Sequence, residues 1–322
     1  WNSNFYGTKY TNEHIWAWNY GSSKINTTTW SAHFGYPASN YTNASGDCPT
    51  QNFVDRFETL DGDPLLTEAD RAAAAAAGHY NEQDPYTNRD PRLDKTILHD
   101  GSVVAGCPAG INIHYDPATG TYPTSSLNNN ARTFGIAWGS NDSKGYSNTG
   151  YYVNKLWNGA LGTAAAHQHT DPLIRMAELY LNYAEAYVEY HGTLAGQALQ
   201  YMNDIRDRVG VPRIDDAWKG IPGKDYREII RQERTIELMF EGHRYFDARR
   251  WKIAHLTFAE PSKRWNCFPT GFTTTNVQPY DSYLTIMPSI ETSKIFEQKH
   301  YLYPIDAENI SSNRNLVQNP GW

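Results

Sequence analysis

Glu233 and Glu237 stand one helical turn apart, inside the apolar arc that Tyr226, Ile229, Ile230, Ile236 and Phe240 form when residues 226–251 are drawn as a helix. Two carboxylates at this spacing could serve as the acid and base of a hydrolase. Glycoside hydrolysis needs such a pair across an open cleft, ~5–10 Å apart. An acid in an apolar stripe also needs a counter-charge, because an unpaired buried charge is costly. Arg244, Arg249 and Arg250 follow closely and are the expected partners. Arginine pairing lowers a carboxyl pKa and makes a poor general acid. The spacing therefore points to structural ion pairs rather than catalysis.

A second chemistry is aromatic. The chain has 10 Trp and 23 Tyr. The long polar stretch from Asn19 to Cys48 carries Trp30, His33, Phe34, Tyr36 and Tyr41 among Ser, Thr, Asn and Gly. A second irregular region, Val104–Gly150, carries Trp138 beside Gly139, Ser140 and Asn141. The C–H face of a sugar stacks on Trp or Tyr while polar neighbours take its hydroxyls. Long loops without elements of their own are commonly functional. Trp30, Tyr36, Trp138, His33 and Tyr41 are the candidate ligand-binding residues. Trp16, in the strand-like Asn12–Asn19, is expected to pack rather than bind.

Metal and cofactor signals are weak. His167-Gln168-His169 lacks a third ligand, and Asp61-Gly62-Asp63 with Glu68 lacks the remaining spacing of a calcium loop. No zinc spacing occurs among Cys48, Cys107 and Cys267; an odd number cannot all pair internally, although Cys48 and Cys107 could bridge two loops. No cofactor and no metal are expected. The net charge of −7 argues against nucleic acid as a partner. Mean hydropathy is −0.67. No apolar run approaches the ~20 residues that span a bilayer. Asn-x-Ser/Thr sites at Asn26, Asn40, Asn43, Asn141 and Asn309 are glycan acceptors only in a eukaryotic secreted chain.

The positioning elements lie in Asp171–Trp251. Asp171 as N-cap and Pro172 at the first position predict a helix that stops at His191-Gly192. Its one polar stripe (Arg175, Glu178, Asn182, Glu185, Glu189) predicts burial on most other sides. A second helix puts Ala195, Ala198 or Leu199, Met202, Ile205 and Val209 on one face and ends at Gly210 and Pro212. The two look like one unit of a helical-repeat solenoid. A third, charge-rich helix closes at Arg249-Arg250-Trp251. Upstream, Thr50–Leu60 predicts a helix with Asp55 and Glu58 on its outer side, and the six-Ala run predicts one over Glu68–Gly78. Asn88–Arg92 reads as a salt-bridged turn. Tyr301–Ile305 reads as a buried extended piece, with the terminal Trp322 packing back.

RMAELYLNYAEAYVE, ALQYMNDIRDRVGVP and ERTIELMFEGHRYFDARRW closely resemble the C-terminal portion of the SusD/RagB family, surface nutrient-binding lipoproteins of Bacteroidota. PTQNFVDRFETLDG, DPYTNRDPRLDKTILHDG, TGYYVNKLW and the ending YLYPIDAENISSNRNLVQNPGW match in order. The resemblance implies a mainly α fold: a TPR-like helical-repeat scaffold of the SusD type with long irregular loops and a few short strands. It implies a loop-rich subdomain over residues 1–170, a helix pair plus charged helix over 171–255, and an irregular segment over 256–322. The family's N-terminal helical half, signal peptide and lipid-bearing Cys are expected upstream of this chain. In function it implies non-catalytic glycan binding at the outer-membrane surface and delivery to a SusC-like TonB-dependent transporter. Some relatives look suited to peptides, and a glycoside hydrolase is the remaining alternative.

Overall fold

The computed structural model describes residues 4–5, 10–19, 48–103, 111–112, 127–128, 131–133, 149–156, 170–215, 218, 220, 225–260, 263–266, 285–288 and 295–322. The architecture is mainly helical, with short strands in small sheets. Strand β1 (His14–Asn19) pairs antiparallel with β7 (Thr170–Arg175). Strand β2 (Ile97–Leu98) pairs with β6 (Tyr152–Val153). The other strands are β3 (Ile111–Asn112), β4 (Leu127–Asn128), β5 (Ala131–Thr133), β8 (Lys263–Asn266) and β9 (Thr285–Pro288).

Three short helices precede the centre of the fold: α1 (Gln51–Val54), α2 (Glu68–Ala76) and α3 (Arg92–Thr96). Helix α2 starts in a reciprocal capping box between Thr67 and Asp70, which satisfies two orphan amides at once. The centre is α4 (Met176–His191), α5 (Gly196–Val209) and α6 (Tyr226–Glu237), followed by α7 (His243–Arg250), α8 (Ala254–Thr257) and α9 (Ala307–Ser312). Leu181, Ala184 and Val188 of α4 meet Ala198, Met202 and Ile205 of α5 and Ile229 and Ile230 of α6 in one buried cluster. Small residues at Ala184 and Ala198 let the helices approach closely. Tyr180 and Tyr201 stack at 4.2 Å across the α4–α5 contact. Gly192 and Gly210 end their helices in the left-handed conformation, as expected.

Several expectations change. Helix α4 does not start at Asp171 and Pro172; those residues belong to β7, opposite Trp18 and Ala17 of β1, and the helix begins at Met176. Pairing with a strand far away in sequence overrides the local capping signal. Burial of α4 is one-sided: Leu179, Tyr183 and Tyr190 are exposed, because α5 and α6 cover the Leu181–Val188 face. Trp16 and Trp18 are 62% and 60% exposed on the β1 ribbon, so the expected packing of Trp16 is not found. Helix α1 spans only Gln51–Val54, and Asp55 and Glu58 are buried rather than outward. Leu302 and Tyr303 are exposed, while Trp322 does fold back, donating from Nε1 to the carbonyls of Lys299 and Leu302.

The charged helix is two helices. The chain breaks after Glu237, with Phe240 at φ 64° and Gly242 at φ 84°. Both lie in the left-handed region, where glycine carries no Cβ penalty. A Cβ at Gly242 would meet nothing within 4 Å, so its cost would be in the backbone alone. Gly242→Ala should lower unfolding stability by about 1–2 kcal/mol, read as a fall in the urea midpoint; an unchanged midpoint would show that the α6–α7 turn does not need this conformation.

Candidate functional site

The break after Glu237 decides where the arginines go. Arg244, Arg249 and Arg250 do not reach Glu233 or Glu237. Arg244 donates to the Thr235 hydroxyl at 3.0 Å. Arg249 donates to the carbonyls of His300 and Tyr301. Arg250 pairs with Glu185 and Asp247. The turn at Phe240–Gly242 re-aims α7, so counting along one continuous helix gave the wrong partners.

The partners come instead from distant segments. Arg92 lies 2.5 Å from Glu233 and 3.2 Å from Glu237, and it also holds Asp90 at 2.6 Å. Arg206 of α5 takes the second oxygen of Glu233 at 2.9 Å and reaches Glu58 with its other nitrogen. Arg175, the last residue of β7, meets Glu237 at 2.9 Å, Glu241 at 2.7 Å and Glu13 at 2.5 Å. Arg208 adds a 2.6 Å contact to Glu237. The expected salt-bridged turn at Asn88–Arg92 is present, but its outward reach to α6 has no local sequence signal. Lys155 donates to the open carbonyls of Glu237 and Met239 and to Glu241, so a cation closes the end of α6.

This arrangement fixes the protonation states. Burial alone would raise the carboxyl of Glu237, but Arg175, Arg208, Arg92 and Lys155 hold it far below the ordinary range. Burial pushes Lys155 down to about 8 against the pull of Glu241. Glu58 goes the other way. Burial, with help from Glu233 and Asp90, raises it to about 7 despite Arg206. The imbalance is visible in the composition of the network. Asp90, Glu58, Glu233, Glu237, Glu241 and Glu13 face Arg92, Arg175, Arg206, Arg208 and Lys155, one acid in excess.

Glu58 and Glu233 also line a small cavity of about 20 Å³, with Trp218, Leu65, Ile229 and Gln232. Two carboxylates beside one cavity, one of them with a raised pKa, could suggest a glycosidase acid–base pair. Here every oxygen is taken: Glu58 by Arg206 and by Trp218 Nε1 at 3.2 Å, Glu233 by Arg92 and Arg206. Glu58 and Glu233 are 7% and 2% exposed, which leaves no face for a substrate.

The candidate ligand-binding residues Trp30, His33, Tyr36, Tyr41 and Trp138 lie outside the described residues, as do His167, His169, Cys107 and Cys267. At the Asp61–Asp63 loop the protein supplies the donors itself: Asn88 reaches Asp61 at 2.9 Å and His79 reaches Asp63 at 2.7 Å. Among the described residues no cluster of three His, Cys, Asp or Glu is placed to hold a metal ion, and no helix is long and apolar enough to cross a membrane. Trp16, expected to pack, and Trp18, two residues on along β1, are both exposed and form an aromatic surface.

Two consequences are measurable. Arg92→Met leaves Glu233 and Asp90 short of their buried counter-charge, and should cost about 3–5 kcal/mol in urea unfolding. A loss below 1 kcal/mol would mean the network relaxes around the gap. For Glu58, burial raises the folded pKa above the ordinary glutamate value of 4.5. Its contribution to stability is therefore full below pH 4.5 and is lost as pH rises toward 7. Glu58→Gln removes that dependence, so its stability relative to the parent should improve between pH 5 and pH 8 by about 2–3 kcal/mol. A difference that is flat with pH would place the Glu58 pKa near its ordinary value.

Comparison with known proteins agrees with this architecture. The SusD family model matches residues 12–322. SusD-like protein P25 of Formosa agariphila is 36% identical over 104 residues, 32% of this chain and 19% of the relative. SusD-like protein P2 of the same organism is 28% identical over 154 residues, 46% of this chain and 25% of the relative. A SusD-like protein from Bacteroides fragilis superposes with a TM-score of 0.65 at 26% identity, covering 98% of this chain and 56% of its own. A SusD-like carbohydrate binding protein from Bacteroides fragilis gives 0.64 at 25% identity, covering 95% and 55%. The chain thus spans about half the length of these solved relatives. On the family match and the shared fold, the chain belongs to the SusD family.

Proposed function

We propose that this protein is a non-catalytic glycan-binding protein that captures oligosaccharide at the outer-membrane surface, as a lipid-anchored lipoprotein, and passes it to a SusC-like TonB-dependent transporter. Membership of the SusD family and similarity to a carbohydrate binding relative support the glycan. The observation that carries the non-catalytic part is the saturation of Glu58, Glu233 and Glu237: each carboxylate is buried and bonded to arginine, and the cavity beside Glu58 and Glu233 is too small for a sugar. In this reading residues 1–170 carry the binding loops, 171–255 the helical frame and 256–322 the closing segment. Trp30, Tyr36, Trp138, His33 and Tyr41 stack on sugar rings or take their hydroxyls, and no bond is broken.

A panel of soluble polysaccharides in affinity electrophoresis, with a reducing-end assay on the same mixtures, tests this. One glycan should retard the protein without generating reducing ends, and Trp30→Ala or Tyr36→Ala should reduce retardation at least tenfold, the order expected when ~1–3 kcal/mol of stacking is lost. New reducing ends would establish a hydrolase. Retardation that survives both substitutions would move the site to Trp138 or to the Trp16–Trp18 surface. Binding of peptides in place of every glycan would reassign the cargo.

A further inference from the structure

Most arginines of the central helices end on a carboxylate; Arg249 ends on backbone carbonyls, and two arginines beside α6, Arg56 and Arg244, end on neutral side chains. Arg56, just beyond α1, donates from Nη1 to the side-chain oxygen of Gln232 at 2.9 Å, and Gln232 returns a bond to the Arg56 carbonyl. Arg244 of α7 donates to Thr235. Gln232 and Thr235 are neighbours one turn apart on α6, so the two guanidinium groups are held side by side by neutral acceptors. Among the described residues neither arginine has a carboxylate within 4.0 Å. Both side chains remain partly open to solvent. Their mutual repulsion is felt: burial first, and Arg56 second, bring Arg244 down to about 10.

Glu260, Glu228 and Asp55 act on Arg56, and Asp247, Glu228 and Glu260 on Arg244, in each case favouring the charged guanidinium without pairing with it. Glu228 pairs with Arg231 at 2.5 Å, Glu260 accepts from Asn52 at 2.8 Å, and Asp247 is held by Arg234 and Arg250. Elsewhere in this protein, close cations are interleaved with acids. Here each guanidinium spends a donor on a neutral side chain, and among the described residues neither forms an ion pair, while both residues stay partly exposed. Guanidinium groups in that state suit an oxyanion, which accepts two parallel N–H bonds from each.

We propose that Arg56 and Arg244 form a binding site for an oxyanion substituent, a carboxylate or a sulfate ester, carried by an acidic oligosaccharide. The inference rests on the glycan-binding reading and narrows its substrate class to charged chains. A neutral sugar would leave the cationic pair without an ion-pairing partner. Because the whole chain carries a net charge of −7, indiscriminate attraction of polyanions is disfavoured, and retention of one would report a local site.

Affinity electrophoresis with dextran, dextran sulfate and polygalacturonate, at fixed ionic strength, tests the site. The parent protein should be retarded by dextran sulfate or polygalacturonate more than tenfold beyond dextran, and the preferred one identifies the substituent. Arg56→Gln and Arg244→Gln should each lose most of that excess, with partial rescue by Arg56→Lys. Sodium sulfate and sodium acetate melts at matched ionic strength give a second readout that does not depend on polymer length. The preferred anion should raise the melting temperature of the parent more than that of Arg56→Gln, the shift common to both being the general effect of the salt, and the comparison remains informative if an Arg244 variant fails to fold. Equal retardation of parent and variants by polyanions would overturn the site, as would an equal melting shift. Binding of neutral glycans alone would overturn this inference and leave the glycan reading standing. Absence of binding to any neutral or acidic glycan would overturn both.

Discussion

The structure depends on keeping Glu237 charged in a place without water. Its side chain is fully buried, and isolating such an ion would be prohibitive. Arg92, Arg175 and Arg208 make it tolerable, and each arrives from a different part of the chain. Arg175 closes the β1–β7 ribbon, Arg92 follows the Asp90 turn, and Arg208 ends α5. The same arginines reach Glu13, Glu241, Asp90 and Glu233. A set of buried charges that can be satisfied in one arrangement only ties segments more than 100 residues apart to a single helix. Such a network adds little net stability over an apolar core, yet removal of one member is expensive. Its value here is in register: it fixes which segment meets α6, and where.

That commitment separates scaffold from function. Carboxylates locked to arginines cannot exchange protons with a substrate, so the residues with the most suggestive chemistry in the sequence hold the frame together. In the proposed function, recognition falls to groups that the frame presents outward, since function resides in the site rather than in the fold.

Helix ends and core faces were readable from local physics. Gly192 and Gly210 stop α4 and α5 where left-handed backbone is needed, and Ala184, Ala198, Met202 and Ile205 face the core as their spacing requires. Burial of Glu233 and Glu237 could be read from their place in an apolar stripe. Their partners could not. The turn at Phe240–Gly242 diverts Arg244, Arg249 and Arg250, and the true partners lie 27 to 145 residues away, beyond any local periodicity. The start of α4 failed for the same reason, because pairing with β1 outweighs an Asp-Pro cap signal. Family motifs carried the fold further than periodicity did. The candidate ligand-binding residues Trp30, His33, Tyr36, Tyr41 and Trp138 lie outside the described residues.

Glu237→Gln is the variant that bears most directly on this account, with unfolding stability, glycan retardation and reducing-end release measured on one preparation. A structural carboxylate predicts a stability loss of about 3–5 kcal/mol, with retardation by the folded fraction unchanged and no reducing ends from parent or variant. Unchanged stability together with reducing ends from the parent that vanish in the variant would contradict it, and would make Glu237 a catalytic group.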